Sequence, residues 1–518
     1  MTLVAGSRRG LFNRTPLEWL FSLPVFLLLV LTLVINTGEM LHGRMLKLGE
    51  SLFGDSTQQV QYFMLRADPV RPSCDRHVDI EAQLRANSTP AATPAGGDAV
   101  DALFGDRPQT ADEQRTALLA ARDECRLKHD FYERAAAHIT PMVRAFRAVE
   151  TGFFALFEVG THNRPLILLL MVAIAAIVTT LANHHISIRP ARTTLDQRVS
   201  NGAIAIASAM LLFSCIRYYQ ITAATGLVVE HPLLHVLWCA LFTAMLAISG
   251  YRLWRPVPAQ AGGSWGMALL SVPLFATMAM ICGLYFFAQG HPSGLAIYIN
   301  QLMELPTIFL NLALFIFAGM LLKQTDIVDR FLNLLRPWRL SPELLTYIIL
   351  LAAAVPTAYT GASGIFVIAA GGIIYREVLH AGGTRQFALA ATAMSGSLGV
   401  VLRPCLLVVL IAMLNKQVTT SKLFHWGFFV FLLTSTLFFL ASQMRRTQRA
   451  QVEVPMVALR AMLKESIHVV PYVATAIALV VFYSAALDTS LNEISAPTIM
   501  PVLMLLLLVI DKWLASRR

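Results

Sequence analysis

The sequence predicts an all-α polytopic membrane protein, with about ten transmembrane helices, one re-entrant helical hairpin and a helical periplasmic insertion. Three observations carry that prediction. Of the 518 residues, 56% are hydrophobic and only 14% charged, the balance of a chain whose solvent is largely lipid. Most apolar runs reach the roughly 20 residues that a helix needs to cross about 30 Å of hydrocarbon, where backbone groups must be paired within the segment. Finally, the Arg and Lys residues behind the formal charge of +10 fall in short clusters beside the apolar runs. Such clusters set topology; a nucleic-acid surface would gather them into one basic stripe.

The first apolar run, 17–36, follows Arg8, Arg9 and Arg14. It is long for a signal peptide and no small-x-small site closes it, so a retained anchor is expected. Further spans are expected at 165–183, 202–224, 233–251, 265–288, 297–322, 386–414, 424–442, 467–487 and 496–514. With the N-terminus inside, the clusters at Arg189/Arg192/Arg198, Arg252/Arg255, Lys323/Arg330/Arg336/Arg339, Arg376/Arg385, 445–464 and Lys512/Arg517/Arg518 all face the cytoplasm, and the short outer loops hold only Lys416 and Lys422. Both termini are then cytoplasmic, in a bacterial inner membrane. This count requires the apolar stretch 343–375 to enter and leave on one side. Its two arms around Thr360-Gly361 are each about 15 residues, or roughly 22 Å of helix, too short for two spans. A hairpin reaching mid-membrane fits, its turn buried in protein or lining a wet cavity.

These spans order the chain as 1–36, a cytoplasmic N-terminus and first span; 37–160, a polar periplasmic insertion; 161–255, three further helices; and 256–518, the hairpin-bearing region. Within the insertion, 88–99 is of low complexity, and Thr110 with Asp112 and Glu113 opens a helix that Pro141 ends near Ile139. Cys74 and Cys125 are its only cysteines; an oxidising compartment permits a bridge between them, and the sequence leaves that open. Cys215, Cys239, Cys282 and Cys405 lie in apolar spans and read as small packing residues.

The densest helix-breaking clusters are Pro356 to Gly372, PTAYTGASGIFVIAAGG, and Ser395 to Pro404, SGSLGVVLRP. Gly and Pro open the backbone while Ser and Thr supply oxygens, so two facing broken helices offer ligands for a hard cation, with half-helix N-termini attracting an anion. The plainer reading is close helix packing through small residues. Arg403 is a costly charge mid-span that suits bidentate capture of a carboxylate; pairing with Glu304 is its structural alternative. Arg217, near a span end, reads as snorkelling to the interface, and His184-His185 as capping a helix end. Pro306 is expected to kink 297–322, whose polar residues Asn300, Gln301, Glu304 and Asn311 are site or scaffold. Asn492-Glu493 reads as a solvated loop. No HExxH, P-loop, CxxC pair or paired-Asp motif appears, so no enzyme and no organic cofactor is expected.

At these residues the chain resembles the large membrane subunit of TRAP (tripartite ATP-independent periplasmic) transporters, over roughly Pro306 to Trp513. PTIFLNLALFIFAGMLL is similar to the family's PLFILAGE-type helix, with Met320 in place of Glu; Gly361-Ala362-Ser363 to its Gly-Ser-Ser hairpin tip; and ATAMSGSLGVVLRP to TAxxGTLGPLIPP, with Arg403 and Cys405 replacing Pro and Ser. The resemblance implies Na⁺-driven uptake of an organic anion, often a carboxylate, delivered by a periplasmic solute-binding protein. Thr360, Gly361, Ser363, Ser395, Gly396, Ser397 and Gly399 would line the ion site, and Arg403, Ala362 and Thr392 the substrate site. The first four spans equal the family's small subunit in number. The family's site uses two inverted repeats, each with a hairpin, and one hairpin precedes Arg518. A second membrane chain supplying the other repeat, a truncated chain, or a chain that does not transport alone would each account for this. The competing function is a non-transporting sensor or assembly platform built around 37–160.

Overall fold

The structure is a computed structural model that describes residues 16–57, 59–87, 111–182, 185–226, 231–256, 259–322, 324–361, 363–415, 417–444, 454–492 and 494–516. The low-complexity run 88–99, the Thr110 cap, His184, Ala362, Lys323, Lys416, Glu493 and the basic residues at 8–14, 445–449 and 517–518 lie outside the described residues.

The described residues are helical, with no strand among them. The chain divides into two compact units, one of Met1–Thr37 with Val159–Arg518 and one of Gly38–Glu158. In the larger unit, α1 (Pro16–Phe53, whose remaining residues belong to the smaller unit), α5 (Arg164–Ala182), α6 (Thr194–Ala224) and α7 (Pro232–Trp254) come before the hairpin-bearing region. The hairpin-bearing region then runs from α8 (Trp265–Leu269) through α9 (Leu274–Ala288), α10 (Gly294–Glu304), α11 (Pro306–Leu322) and α12 (Ile327–Leu335). It continues with α13 (Pro342–Thr360), α14 (Ser363–His380), α15 (Arg385–Ser397), α16 (Leu406–Leu414), α17 (Thr420–Met444), α18 (Pro455–Ser466), α19 (Val470–Leu487) and α20 (Ala496–Ser516). Among the described residues, eight helices are long and apolar enough to cross a membrane, and a ninth follows if α10 and α11 form one span. Large side chains such as Leu27, Ile206, Leu433 and Phe482 are exposed on these helices, the surface of a chain that faces acyl tails rather than water.

Two expected spans are interrupted. Residues 265–288 split at 270–273, because Pro273 lacks an N–H and holds an extended conformation as the N-cap of α9, leaving a helix of 15 residues. Residues 386–414 divide into α15, a 3-10 turn at Gly399–Val401 and α16. The kink expected at Pro306 is a 78° bend between α10 and α11.

Buried apolar residues set the packing. Leu169, Ile204, Trp238, Phe242 and Met303 join α5, α6, α7 and α10 in one core. Leu332, Ile349, Phe366, Ile374 and Ala391 join α12 to α15 in another. Where α1, α11 and α20 meet, Asn36 donates to Asn311 (3.0 Å) and Thr498 (3.3 Å) and accepts from Arg164 of α5 (3.1 Å). Asn311 therefore serves as scaffold, since a buried amide among helices is held by partners of this kind.

The smaller unit is built from the end of α1, α2 (Ile80–Asn87), α3 (Ala111–His138) and α4, which runs Pro141–His162 and leaves this unit after Glu158. Pro141 separates α3 from α4, its missing N–H falling at a first-turn position where none is needed. Its core holds Val60, Tyr62, Leu65, Ala135 and Val143. Around the fully buried Glu150, Arg66 donates through Nε (3.2 Å) and Nη2 (2.9 Å), His42 Nε2 lies at 2.5 Å and the Tyr62 hydroxyl at 3.3 Å. Cys74 and Cys125 are disulfide-bonded across a sequence separation of 51. For a loop of that length the chain-entropy argument gives about 4 kcal/mol of stabilisation. Cys74→Ser/Cys125→Ser should therefore make 38–158 of the full-length protein markedly more sensitive to limited proteolysis, and unchanged protection would show that the other contacts already close the loop.

Candidate functional site

The two small-residue clusters meet. Helix α13 ends at Gly361, which takes a φ of 61°, a left-handed conformation that glycine adopts without steric cost, and donates its N–H to the Thr357 carbonyl at 2.9 Å. Thr360 closes α13 and Ser363 opens α14, so the hairpin turn spans two residues. A Cβ at Gly361 would lie 3.3 Å from the Cys405 sulfur and 3.4 Å from the Leu407 nitrogen, which places the turn on the N-terminus of α16.

The break itself is pressed against the same arm. A Cβ at Gly399 would stand 1.9 Å from Thr357 Oγ1 and 2.2 Å from the Ala354 carbonyl oxygen, so only glycine permits this approach. Thr357 is fully buried and donates its hydroxyl to Ala353 O (2.8 Å) and Ala354 O (3.1 Å). Of the other expected site residues, Ser395 is fully buried and donates to Thr392 O at 2.7 Å, and Gly396 is buried beside it. Ser397 is exposed and donates to Met394 O at 3.2 Å, so its side chain is turned away from that interior. Thr392 faces the second arm: its hydroxyl lies 2.8 Å from Ala388 O and 3.4 Å from Gly371 O.

Arg403 stands in the break of the helix. It sits in the loop between the 3-10 turn and α16, with its side chain exposed, its Nη2 3.4 Å from Ser421 Oγ and its guanidinium 5.3 Å from the Phe424 ring centroid. Both partners belong to the start of α17. Glu304 accepts instead from Asn300 at 3.1 Å. Arg217 is exposed and bonded to Gln220 at 2.9 Å, as a residue near a span end should be.

Thr357 and the Ala354 carbonyl are parts of this contact that residue types alone did not single out, although Thr357 lies inside the PTAYTGASG run. A cavity of about 430 Å³ flanks the hairpin, lined by Pro356, Tyr359, Phe366, Phe331, Met500 and Met504. Its walls are hydrocarbon and aromatic, unsuited to an anion. Close to the Gly361 contact, α13 and α15 end in carbonyls and α14 and α16 begin with N–H groups not used within a helix.

Comparison with protein families matches residues 264–517 to the DctM component of the tripartite ATP-independent periplasmic transporter. Neither the curated proteins nor the solved structures give a significant match.

Proposed function

Residues 264–517 belong to the DctM component of tripartite ATP-independent periplasmic transporters, which makes the chain a multi-pass membrane permease, and from that premise we propose that it couples Na⁺ entry to uptake of an organic anion. The apposition of the Gly361 turn with Cys405 and Leu407 carries this reading. Carbonyl ends of α13 and α15, with the buried hydroxyl of Ser395, supply hard oxygen ligands for Na⁺ around Gly361, Gly396 and Gly399. The N-termini of α14 and α16 favour the substrate carboxylate. Arg403, two residues before Cys405, supplies a bidentate partner for that carboxylate, and Ala362 and Thr392 complete its surroundings.

In this reading the hairpin enters and leaves on the cytoplasmic side of the inner membrane. A periplasmic solute-binding protein delivers the anion, and a second membrane chain supplies the matching repeat. Proteoliposomes holding the chain and these partners should accumulate a labelled organic acid only with an inward Na⁺ gradient; equal accumulation without Na⁺ would remove the coupling. In the same assay Arg403→Ala should weaken substrate retention at least about tenfold, the loss of one charge-assisted pair. Arg217→Ala should leave it unchanged, and equal effects would take Arg403 out of the site.

A further inference from the structure

At the foot of the hairpin, Ser341 caps α13 by accepting from Leu344 N–H (3.3 Å), Pro342 takes the first helical position, and Glu343 follows. An acidic residue in a first turn ordinarily faces water, where it complements the helix dipole. Glu343 is instead only 6% exposed, and among the described residues its Oε2 has no hydrogen-bond partner. One turn further along the same face, Thr346 is fully buried and its Oγ1 also has none. Both omissions are unusual here. Glu377, the buried acid on the second arm, is paired with Arg336. The buried hydroxyls of Thr357 and Thr392 return to carbonyls four residues earlier.

A cavity of about 450 Å³ opens at this point between the starts of α13 and α15 and the end of α17. Glu343, Thr384, Gln386 and Ser442 contribute polar groups to it, and Phe387 and Phe438 close it on the apolar side. The Thr384 hydroxyl oxygen already accepts from Phe387 N–H, and the Ser442 hydroxyl donates to Phe439 O. Each of those oxygens keeps a lone pair. A buried carboxylate without a counter-charge is costly, and an unpaired buried hydroxyl adds to that cost. Two such oxygens, about one turn apart on the same face of α13, have lone pairs to offer to one electron-pair acceptor.

We propose that Glu343 and Thr346 hold a monovalent metal cation of the sodium class, which enters through the cavity at the foot of the hairpin. One carboxylate matches a single positive charge, and carboxylate, hydroxyl and amide oxygens are the donors a hard cation takes. The site is distinct from the hairpin turn: 18 residues of α13 separate Glu343 from Gly361, about 27 Å along the helix.

The test uses the purified full-length chain in detergent, with NaCl replaced stepwise by choline chloride at constant ionic strength and pH. The unfolding temperature should rise saturably with Na⁺. Glu343→Gln and Thr346→Val should each raise the half-saturating Na⁺ concentration of that component at least about tenfold, while Arg217→Ala, on α6, leaves it in place. If one variant fails to elute as a monodisperse species, the other carries the measurement. A titration identical in wild type and variants, or no Na⁺-dependent rise at all, overturns the proposal. So does a rise that follows pH rather than Na⁺ and disappears in Glu343→Gln, which would identify the bound charge as a proton. The readout is binding, so Na⁺-independent uptake with this component intact would overturn the proposed coupling and leave the foot site standing.

Discussion

Gly399→Ala is expected to reduce uptake at least tenfold while leaving the protein in the membrane. The added methyl would stand 1.9 Å from Thr357 Oγ1 and 2.2 Å from the Ala354 carbonyl. Thr357 cannot yield alone, because its fully buried hydroxyl is bound to two carbonyls of its own helix, and Ala354 O is backbone. The 3-10 turn must therefore retreat from α13. Forcing a methyl into a packed contact costs about 1–3 kcal/mol, and 1.4 kcal/mol corresponds to a factor of ten. That displacement would move the ends of α15 and α16 relative to the Gly361 turn, so the loss should appear in substrate and Na⁺ affinity before it appears in protein yield. Normal uptake by a well-expressed Gly399→Ala protein would show that the approach is packing alone.

Glu150→Ala is expected to unfold much of the 38–158 unit. The fully buried carboxylate gathers Arg66, His42 and Tyr62 from two other segments of the chain. Removing it leaves the Arg66 guanidinium, about one quarter exposed, without its acceptor. Breaking a buried pair in this way costs about 3 kcal/mol or more. The pH profile follows from the same geometry. Burial pushes the Glu150 carboxyl up, but the bonds from Arg66 and His42 outweigh it and hold the group below its ordinary range. Its contribution is thus present above the unfolded carboxyl pKa and is lost as pH falls. Tyr62 is pushed up from 10.0 to about 12, first by burial and then by the Glu150 charge, so its contribution is lost as pH rises above 10. Protease resistance of this unit in the full-length protein should form a plateau between those limits, and Glu150→Ala should abolish it; an unaltered digestion pattern would contradict the assignment.

Much of the architecture was legible because lipid leaves the backbone few choices. Runs such as 233–251 and 496–514 have to be helical, and charge placement orders them. The position of the hairpin turn was legible too, since Gly361 occupies a conformation that few other residues tolerate, but the arm length was not: α13 has 19 residues where about 15 were expected, and is long and apolar enough to cross a membrane. What escaped were relations between distant positions. Nothing local to Gly399 announces that Thr357 and Ala354 will press against it. Glu150 meets partners 84 and 108 residues earlier in the chain. Arg403 lies in the break expected between Ser395 and Pro404, but nothing local announces its contacts with Ser421 and Phe424 at the start of α17. Glu343 passed unremarked since Ser-Pro-Glu is an ordinary helix start, and only its burial and its lack of a partner distinguish it.

The proposed coupling places Na⁺ and the anion where the hairpin turn rests on the broken helix, a contact that must then open to let them pass. Gly361→Cys tests it through the native Cys405, whose sulfur lies 3.3 Å from the position of the new Cβ. With Cys215, Cys239 and Cys282 replaced by serine, mild oxidation should cross-link the pair despite the cost of a side chain at positive φ. The cross-linked chain, reconstituted with its partners, should lose Na⁺-driven uptake and regain it on reduction, with the serine background alone unaffected by either treatment. Full uptake by the cross-linked protein would contradict the claim and make this contact a fixed part of the scaffold.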